Sequence, residues 1–395
     1  MCSILGGTRF DNFALDIYNR AKDRGIDYTG LSQYGNYWIA NHRATPTNEE
    51  ETPIQNQPFG KGVKIVHNGT ISNDKELGVK DGEIDSKALE LILDCTDVNT
   101  IAKSLEKVIG SYAIAILKPN EIILACNYKP IHYISKDGEF YFSSLKSHIG
   151  DEAIRVKPYS VINLTTKQQV EIKRKQSDSA LVILSGGLDS TSLTGYVNKK
   201  HSEMNLLHFN YGCKATTREI DAVKKIKEFY NCELTILPID YTHSKGASTL
   251  FKEDKITTGK DGVEYALDWV YARNLLMLSS AVAYAEANEY GHIYIGTNLE
   301  ESGSYPDNEE QFILDFNGLL WGALNNGIKI EVHTPLGGLM KKGIVEFGMR
   351  YNSPLHLSWS CYNGGELHCG KCGPCYMRKI AFDRAKIQDP TKYES

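Results

Sequence analysis

Long apolar runs are absent from this chain. No stretch approaches the roughly 18 to 20 consecutive apolar residues that a helix needs to cross a bilayer. The amino terminus, Met1-Cys2-Ser3-Ile4-Leu5, also lacks the basic flank that precedes the hydrophobic segment of a secretory leader. We therefore expect a cytoplasmic protein that does not enter a membrane.

A strong excess of one charge is also missing. The formal net charge is -5 and the pI is near 6.1, so no sequence-wide basic field exists to condense onto a phosphate backbone. A local basic groove remains compatible with these totals. The sequence also has no internal repeat and no low-complexity tract. These absences favour an ordinary globular protein.

The length of the chain predicts two domains. At 395 residues and 41% hydrophobic residues, it has the material for two domain cores rather than one. The sequence becomes polar and charged from Gln168 to Ser179, which predicts a linker. We therefore place the domains at residues 1–172 and 173–395.

The first domain combines many short β-rich runs with few helices. Helical periodicity appears at Asn12–Arg24, Asp85–Asp94 and Thr100–Ile109. This balance is typical of an α+β sheet sandwich. The predicted strands are Tyr37–Ala44, Val63–Asn68, Ser111–Leu117, Glu121–Asn127, Glu139–Ser143 and Tyr159–Leu164.

The second domain alternates strands and helices regularly. Helices are predicted at Thr217–Tyr230 and Trp269–Ala287. The alternation indicates an α/β fold with a doubly wound parallel sheet, which binds ligands at the carboxyl ends of its strands. The predicted strands are Ala180–Leu184, Leu206–Asn210, Leu234–Ile239 and His292–Gly296.

The nine cysteines are distributed unevenly. Cys95, Cys126, Cys213 and Cys232 stand singly in apolar or strand-like sequence, where reduced cysteine serves as a small core residue. Four others lie close together, with neighbouring glycines that allow the tight turns of tetrahedral coordination, and predict a zinc site. A disulfide pair is disfavoured by the expected cytoplasmic setting, and the spacing alone leaves an iron–sulfur cluster open. These four ligands are Cys361, Cys369, Cys372 and Cys375.

A glycine-containing loop follows the predicted strand Ala180–Leu184. Its two glycines let the backbone approach an anion, and its amides and hydroxyls can donate hydrogen bonds to phosphate oxygens. We predict that this segment holds a pyrophosphate group. The loop consists of Ser185, Gly186, Gly187, Leu188, Asp189, Ser190 and Thr191.

This loop resembles the pyrophosphate loop of the ATP-pyrophosphatases, and it lacks the lysine of a Walker A loop. In that superfamily ATP is split between its α and β phosphates, which gives an adenylated substrate and pyrophosphate. The resemblance implies an adenine nucleotide alpha hydrolase-like fold for the second domain. It also implies ATP, with Mg²⁺, as a substrate.

Cys2 becomes the first residue once Met1 is removed. Its α-amino group, with a pKa near 7.7 to 8.0 in peptides, can serve as a general base for the thiol. A cysteine at this position is weak evidence by itself. Three further segments, in the same order and spacing, resemble the class II, N-terminal-nucleophile glutamine amidotransferases: His42-Arg43-Ala44-Thr45, His67-Asn68-Gly69 and Ile84-Asp85-Ser86.

The amidotransferase resemblance covers roughly residues 2 to 170 and implies an αββα sandwich. It implies that Arg43 grips the glutamine α-carboxylate and that Asp85 receives its α-amino group. Asn68 and Gly69 would form the oxyanion hole for the intermediate at Cys2. Taken singly, Arg43 also suits a surface ion pair, and Asn68-Gly69 suits a hairpin turn.

The second domain resembles 7-cyano-7-deazaguanine synthase over about residues 180 to 385. The resemblance implies that Lys341 meets phosphate or developing charge and that Arg273 lies near the nucleotide or substrate. It also implies one structural Zn²⁺ per chain. The segments that carry it, besides the loop and the cysteine cluster, are Phe209-Asn210-Tyr211-Gly212, Arg273-Asn274, Ser304-Tyr305-Pro306-Asp307 and Thr334-Pro335-Leu336 with Lys341.

Three departures fall where the family reads its acceptor. Ala272 stands where the family usually has glycine, Cys213 replaces a glutamine, and the acidic segment 299–303 differs. The resemblance implies substrate or nucleotide contacts at Arg273, Asn274, Tyr305 and Asp307. A lysine at the position of Lys341 is also compatible with a solvated helix start.

These resemblances imply a ligase that takes ammonia from glutamine and converts 7-carboxy-7-deazaguanine to its 7-amide, its nitrile, or both. Amidation of 7-cyano-7-deazaguanine in tRNA to archaeosine is an alternative, although the acidic pI disfavours a large tRNA footprint. Asparagine synthesis is disfavoured by the cysteine cluster, and a non-catalytic, zinc-stabilised nucleic-acid module by the intact motifs. The expected partners are glutamine, ATP and a 7-deazaguanine base, and homo-oligomerisation stays open.

Overall fold

The computed structural model describes residues 2–44, 56–240, 248–251, 269–325 and 327–394. The chain divides into two compact units. The first unit spans Met1–Lys175 and Asn325–Gly327, and the second spans Gln176–Leu324 and Ile328–Ser395. The main division therefore falls inside the polar segment between Gln168 and Ser179. Thr45 of the predicted amidotransferase segment lies outside the described residues.

The described part of the first unit contains two antiparallel sheets. The strands are β1 (Ser3–Gly7), β2 (Tyr28–Tyr34), β3 (Tyr37–Arg43), β4 (Lys64–Ile71), β5 (Gly110–Lys118), β6 (Glu121–Cys126), β7 (His132–Lys136), β8 (Glu139–Ser143), β9 (Ile154–Arg155), β10 (Ser160–Asn163) and β11 (Gln169–Glu171). One sheet has the order β2-β3-β1-β8-β7-β9, and the other has the order β11-β10-β6-β5-β4.

The two sheets enclose one core and are covered by helices on their outer faces. Ile4 and Phe142 of the first sheet pack with Val66 and Leu124 of the second. On the outer face of the first sheet, Leu5 packs with residues of the first helix. The helices are α1 (Asn12–Arg20), α2 (Lys87–Ile92), α3 (Val98–Leu105) and α4 (Lys146–Ile149). Since α3 lies against β10 and β11, the predicted αββα sandwich is confirmed.

The second unit is built on a parallel sheet with the order β14-β13-β12-β15-β16. Its strands are β12 (Ala180–Ile183), β13 (Met204–Asn210), β14 (Leu234–Pro238), β15 (His292–Tyr294) and β16 (Glu331–His333). The described helices are α5 (Leu188–Lys200), α6 (Thr216–Tyr230), α7 (Arg273–Ala287), α8 (Leu299–Ser302), α9 (Glu310–Ala323), α10 (Lys341–Arg350) and α11 (Gly373–Ala385).

Alternate residues of β12 point to opposite faces of this sheet. Leu181 packs with Leu278 of α7 and Ile313 of α9. Val182 packs on the other face with Leu193 of α5 and with residues of α6 and α10. Helices therefore cover both faces, which confirms the predicted doubly wound α/β fold. The strand order reverses between β12 and β15, which is the position where such sheets bind ligands.

Several predicted elements have different limits in the structure. Gln169–Glu171 forms a strand paired with β10, although it lies in the segment predicted as a linker. Its side chains are mostly exposed, so no apolar alternation marked it. The helix predicted from Trp269 begins at Arg273. Among the described residues, no helix combines the length and apolar character needed to span a membrane.

Candidate active sites and metal centre

Cys2 stands directly before β1, the central strand that pairs with β3 and β8. The antiparallel register places Ser3 opposite His42, so Cys2 extends toward the end of β3, where Arg43 lies. The Cys2 side chain is half-buried, and its thiol faces the Ala44 carbonyl oxygen at 3.9 Å. Arg43 is buried. The sheet thus brings the predicted nucleophile and the predicted carboxylate-binding arginine together.

Asn68 and Gly69 lie on β4 in the facing sheet. A Cβ atom on Gly69 would come within 1.9 Å of the Ser111 carbonyl oxygen, so only glycine fits this position without a backbone shift. Ser144 links the two sheets: its hydroxyl oxygen accepts from the Ile4 backbone amide at 2.9 Å and from the Asn68 side-chain amide at 3.5 Å. The orientation of the Asn68 amide is therefore coupled to the strand that follows Cys2.

The Asp85 carboxylate is held against the end of β4. One oxygen accepts from the Ile71 amide at 2.6 Å, and the other accepts from the Ser86 amide at 2.7 Å. The Ser86 hydroxyl lies 2.8 Å from Nδ1 of His67. Burial lowers the pKa of His67, and the Asp85 charge opposes this shift. The predicted glutamine-binding residues thus come from both sheets of one unit.

The predicted phosphate loop connects β12 to α5. The Ser185 amide donates to the Ser190 hydroxyl at 3.2 Å, and the Gly187 amide donates to the Ser185 hydroxyl at 3.2 Å. Gly186 has a φ of 84° and packs so closely on α6 that a Cβ atom would meet Ala222 at 3.1 Å. The loop therefore requires glycine there for both its conformation and its packing.

A cavity of about 220 Å³ opens where the strand order reverses, beside the residues that follow β12 and β15. It collects most of the predicted site residues of the second unit. Gly186, Thr191 and Asp307 are not among its lining residues, and Thr191 is fully buried. The predicted residues that line it are Ser185, Gly187, Leu188, Asp189, Ser190, Arg273, Asn274, Tyr305 and Lys341.

Lys341 joins two acidic side chains at the edge of this cavity. Its ammonium group donates to Oδ2 of Asp189 at 2.5 Å and to Oε1 of Glu301 at 2.6 Å. Burial alone would lower the pKa of Lys341, but the two carboxylates outweigh it and raise that pKa. Asp189 Oδ1 is buried and has no hydrogen-bond partner among the described residues. The site therefore holds a fixed ammonium group beside an unsatisfied carboxylate oxygen.

Arg273 is the first residue of α7, and contacts between Asn274 and Asp307 hold this helix start. The Asn274 amide donates to Oδ2 of Asp307 at 3.1 Å, and its side chain donates to the Asp307 carbonyl at 3.1 Å. Ala272 has a φ of 49°, in the left-handed region that favours the family's usual glycine. Tyr305 stacks on Trp269 with a centroid separation of 5.5 Å. Asp307 thus positions the helix that carries Arg273.

Two cavity-lining acidic residues, Glu219 and Glu301, were not predicted as site residues. Burial raises the pKa of Glu219 to about 7. A sequence signal for Glu219 existed, because it shares the buried face of α6 with Ala222, Val223 and Ile226 at helical spacing. A carboxylate on an otherwise apolar face indicates a role other than packing. Trp359 and Tyr362 were also missed, although they flank Cys361.

The sulfur atoms of Cys361, Cys369, Cys372 and Cys375 lie within 4.8 Å of one another and could hold a metal ion. All four cysteines are free thiols rather than disulfides. Backbone amides donate to two of the sulfurs, Cys361 and Cys369, at 3.4 and 3.3 Å. Such bonds stabilise thiolates, so this donor set fits a tetrahedral thiolate-bound metal.

The four-cysteine segment is joined to one wall of the cavity. Helix α11 begins at Gly373, directly after Cys372, and Arg378 on this helix is 1% exposed. Its guanidinium donates to the hydroxyl groups of Ser358 and Ser360 and pairs with Asp389 at 3.1 Å. A metal at the four cysteines would therefore help to fix the wall around Ser360.

The fold defines a chain that joins an N-terminal-nucleophile amidotransferase fold to a doubly wound α/β unit with a buried four-cysteine cluster. The family described as "Queuosine biosynthesis protein QueC" matches residues 179–386, and "Glutamine amidotransferase domain" matches residues 42–150. The chain belongs to the 7-cyano-7-deazaguanine synthase family and carries an additional amidotransferase domain.

Some relatives match nearly the whole of this chain, and others match about half of it. A "7-cyano-7-deazaguanine synthase 2" of Sulfurisphaera tokodaii is 40% identical and covers 100% of both chains. A 7-cyano-7-deazaguanine synthase of Sulfolobus acidocaldarius is 39% identical over 93% of this chain and 86% of its own. One from Methanothrix thermoacetophila is 39% identical but matches 54% of this chain and 98% of its own.

Proposed function

We propose that this chain is a glutamine- and ATP-dependent ligase of 7-deazaguanine metabolism. The first unit hydrolyses glutamine, and the second uses the ammonia to convert 7-carboxy-7-deazaguanine to the 7-amide and onward to the nitrile. The observation that carries this proposal is the cavity at the strand-order reversal, where the phosphate loop, Lys341 and Arg273 meet. The names of the full-length relatives support the nitrile product, and the carboxylate acceptor is the one that the family resemblance implies.

In the proposed glutaminase step, Cys2, once Met1 is removed, attacks the side-chain amide of glutamine after its own α-amine has taken the thiol proton. The C–N bond of the tetrahedral intermediate breaks and ammonia leaves, and water then hydrolyses the glutamyl thioester to glutamate and frees the Cys2 thiol. The Asn68 side chain and the Gly69 amide stabilise the tetrahedral oxyanion. Arg43 binds the α-carboxylate of glutamine. Asp85 binds the α-amino group, because a carboxylate that accepts two backbone amides still has lone pairs for an ammonium donor.

In the proposed ligase step, the amides of the phosphate loop hold the phosphates of ATP, and the acceptor carboxylate attacks the α-phosphate. Pyrophosphate leaves, ammonia displaces AMP from the acyl adenylate, and the 7-amide forms. A second ATP activates the amide oxygen, and loss of AMP leaves the nitrile. Lys341 stabilises the charge that develops on the phosphates. A Mg²⁺ ion bound with ATP would neutralise phosphate charge, and the buried Asp189 Oδ1 fits such an oxygen-seeking cation.

We assign one structural Zn²⁺ to the four-cysteine group. Four thiolates fill a tetrahedral shell, which leaves no open position for substrate. The ion would supply binding energy that stabilises α11 and the cavity wall. Reduced thiols at these positions and at Cys2 suit the reducing conditions of the cytoplasm.

The amidotransferase domain favours one second candidate, which is amidation of 7-cyano-7-deazaguanine already placed in tRNA. Relatives named 7-cyano-7-deazaguanine synthase exist without that domain, such as the Methanothrix protein, of which 98% matches 54% of this chain. Nitrile synthesis therefore does not require the fusion in every relative, and the fused domain would serve an additional amidation.

Mass spectrometry of the products separates these functions. The purified chain is supplied with 7-carboxy-7-deazaguanine, ATP and amide-labelled glutamine, and in parallel with tRNA that contains 7-cyano-7-deazaguanine. Labelled 7-amide or nitrile supports the leading proposal, whereas labelled amidine in tRNA alone supports the second candidate. Absence of label from both products contradicts both.

The Cys2→Ala variant tests the source of ammonia. We expect it to lose glutamine-dependent product formation and to retain activity with added ammonium, because the second unit keeps its own site. Product assays with each nitrogen donor make the comparison. Unchanged glutamine hydrolysis in this variant would exclude Cys2 as the nucleophile.

A further inference from the structure

Glu219 presents a buried carboxylate to the cavity. Its residue is 9% exposed, and it lines the cavity from the first turns of α6. The Cys213 thiol donates to its Oε2 at 3.5 Å, and this weak donor is its one side-chain hydrogen-bond partner among the described residues. Removing a carboxylate from water costs free energy unless strong donors replace the water. The site thus leaves hydrogen-bond capacity for a ligand.

The side chains that line the cavity belong to separate clusters. Ile183, Met277 and Ile295 line one wall and belong to the apolar core under α7 and α9. Trp359 and Tyr362 also line the cavity, and they pack with the cysteine cluster. Two flat ligand groups, the adenine of ATP and the acceptor base, must be distinguished in this cavity. Glu219 belongs with the aromatic group, because its partner Cys213 packs in the same cluster as Trp359 and Tyr362.

The acceptor base carries the complementary donors. A 7-deazaguanine presents a ring N–H and an exocyclic amino group side by side, and two parallel N–H donors match the two oxygens of a carboxylate. Adenine presents a ring nitrogen acceptor beside its amino group, so one carboxylate oxygen would face a lone pair. A carboxylate therefore selects the guanine-type edge and rejects the adenine-type edge.

We propose that Glu219 is the specificity residue that binds the N1–H and 2-amino edge of the 7-deazaguanine acceptor. This inference rests on the proposed ligase function and names the subsite of its base. The packing of α6 on Gly186 places Glu219 beside the phosphate loop, since the Glu219 carbonyl oxygen would lie 3.1 Å from a Cβ on that glycine. The acceptor would thus be held next to the phosphates that activate it.

The test compares two substrates and two variants with the full-length chain. The substrates are 7-carboxy-7-deazaguanine and its hypoxanthine counterpart, which lacks the 2-amino group. The wild-type chain should use the counterpart at least about tenfold less efficiently in kcat/KM, the effect of one hydrogen bond to a charged group. Glu219→Gln should raise KM for 7-carboxy-7-deazaguanine at least about tenfold and leave KM for ATP unchanged. In this variant the kcat/KM values for the two substrates should differ by less than roughly threefold.

Asp221→Asn is the matched control, because Asp221 is an exposed carboxylate on the same helix. It should behave as the wild type does. Equal use of both substrates by the wild-type chain overturns the inference without reference to any variant, as does undiminished discrimination in a folded Glu219→Gln chain. If the wild-type chain uses no 7-deazaguanine carboxylate while Asp221→Asn and wild type both hydrolyse glutamine, the ligase proposal itself fails, and the inference fails with it.

Discussion

The buried carboxylate of Glu219 makes the free energy of unfolding depend on pH. Burial raises its pKa from 4.5 to about 7, so the unfolded chain releases this proton at a lower pH than the folded chain does. Its contribution to the free energy of unfolding therefore falls as pH rises from 4.5 to about 7 and is constant above that. The difference amounts to at most on the order of 3 kcal/mol.

We predict that Glu219→Gln raises Tm at pH 8 by several degrees more than it does at pH 4.5. Glutamine has the shape of the protonated side chain and cannot ionise, so the variant avoids the buried charge at high pH. Thermal denaturation of the variant and the wild type at both pH values measures the difference. A shift in Tm that is the same at both pH values would show that the buried charge does not control stability.

Gly69 offers a second prediction for a single position. Gly69→Ala would place a methyl group against the Ser111 carbonyl, where a Cβ atom lies at 1.9 Å, and would displace the backbone amide assigned to the oxyanion hole. Loss of one such donor costs about 100-fold or more in kcat. Glutaminase assays should show this loss, with ammonium-dependent ligase activity retained.

Gly35→Ala is the control for the Gly69 substitution. Gly35 also has a positive φ, of 59°, but no atom of the described residues outside its chain neighbours lies within 4 Å of the position that an added methyl group would take. Its replacement costs only the backbone preference, roughly 1 to 2 kcal/mol, and should leave glutamine hydrolysis intact. Equal loss of glutaminase activity in both variants would assign the effect to general destabilisation.

At the level of helices and strands, apolar patterning predicted many of the elements that bury a face, but it missed the fully buried strand β1. Strand β12 has four buried residues and is followed directly by the phosphate loop. One continuous segment of sequence therefore predicted both the strand and the loop. Strands β2 and β11 were missed because many of their side chains are exposed, and backbone pairing rather than apolar alternation defines them. Sequence spacing cannot show which exposed segments will pair.

The same limit applies to the cavity. The phosphate loop and the cysteine cluster are contiguous motifs, and the sequence identified them directly. Glu219 and Glu301 reach the cavity from separate helices, and only the tertiary fold brings them to the loop. Asp307 was predicted to contact a ligand, and the structure adds that its carboxylate accepts from the Asn274 amide at the start of α7; the ligand contact itself stays a prediction. A motif therefore marks a site without assigning each residue its contact.

The metal prediction concerns the segment that begins at Cys361 and continues into α11. We expect Cys372→Ser to lose the bound metal and to lower Tm by roughly 10 °C, because losing a few kcal/mol in a unit of this size shifts Tm by about 2 to 4 °C per kcal/mol. Ligase activity should fall because the cavity wall loses the support of the metal, while glutamine hydrolysis should persist. Elemental analysis and thermal denaturation give the two measurements.

Cys232→Ser is the matched control for the metal prediction, since Cys232 is a half-buried free thiol in the same unit and outside the cluster. It should retain the metal. A full complement of zinc in Cys372→Ser, or none in the native chain, would contradict a structural zinc at the four cysteines.

In the whole molecule, each unit has its own core and its own candidate site. The core between the two sheets of the first unit shares no residue with the cores of the second. Point substitutions at one site are therefore expected to leave the other unit folded. The two reactions should be separable by mutation, although both are needed when glutamine is the nitrogen donor.

Asp189→Ala tests this separation from the side of the second unit. The substitution removes the carboxylate that pairs with Lys341 and carries the unsatisfied oxygen, so we expect product formation to stop with glutamine and with ammonium alike. The chain should still hydrolyse glutamine, since Cys2, Arg43 and Asn68 are unchanged. Asp221→Asn, an exposed carboxylate in the same unit, should keep both activities. Loss of glutamine hydrolysis in a folded Asp189→Ala chain would show that the ligase site controls the glutaminase site, and the two reactions would then have to be treated as one coupled system.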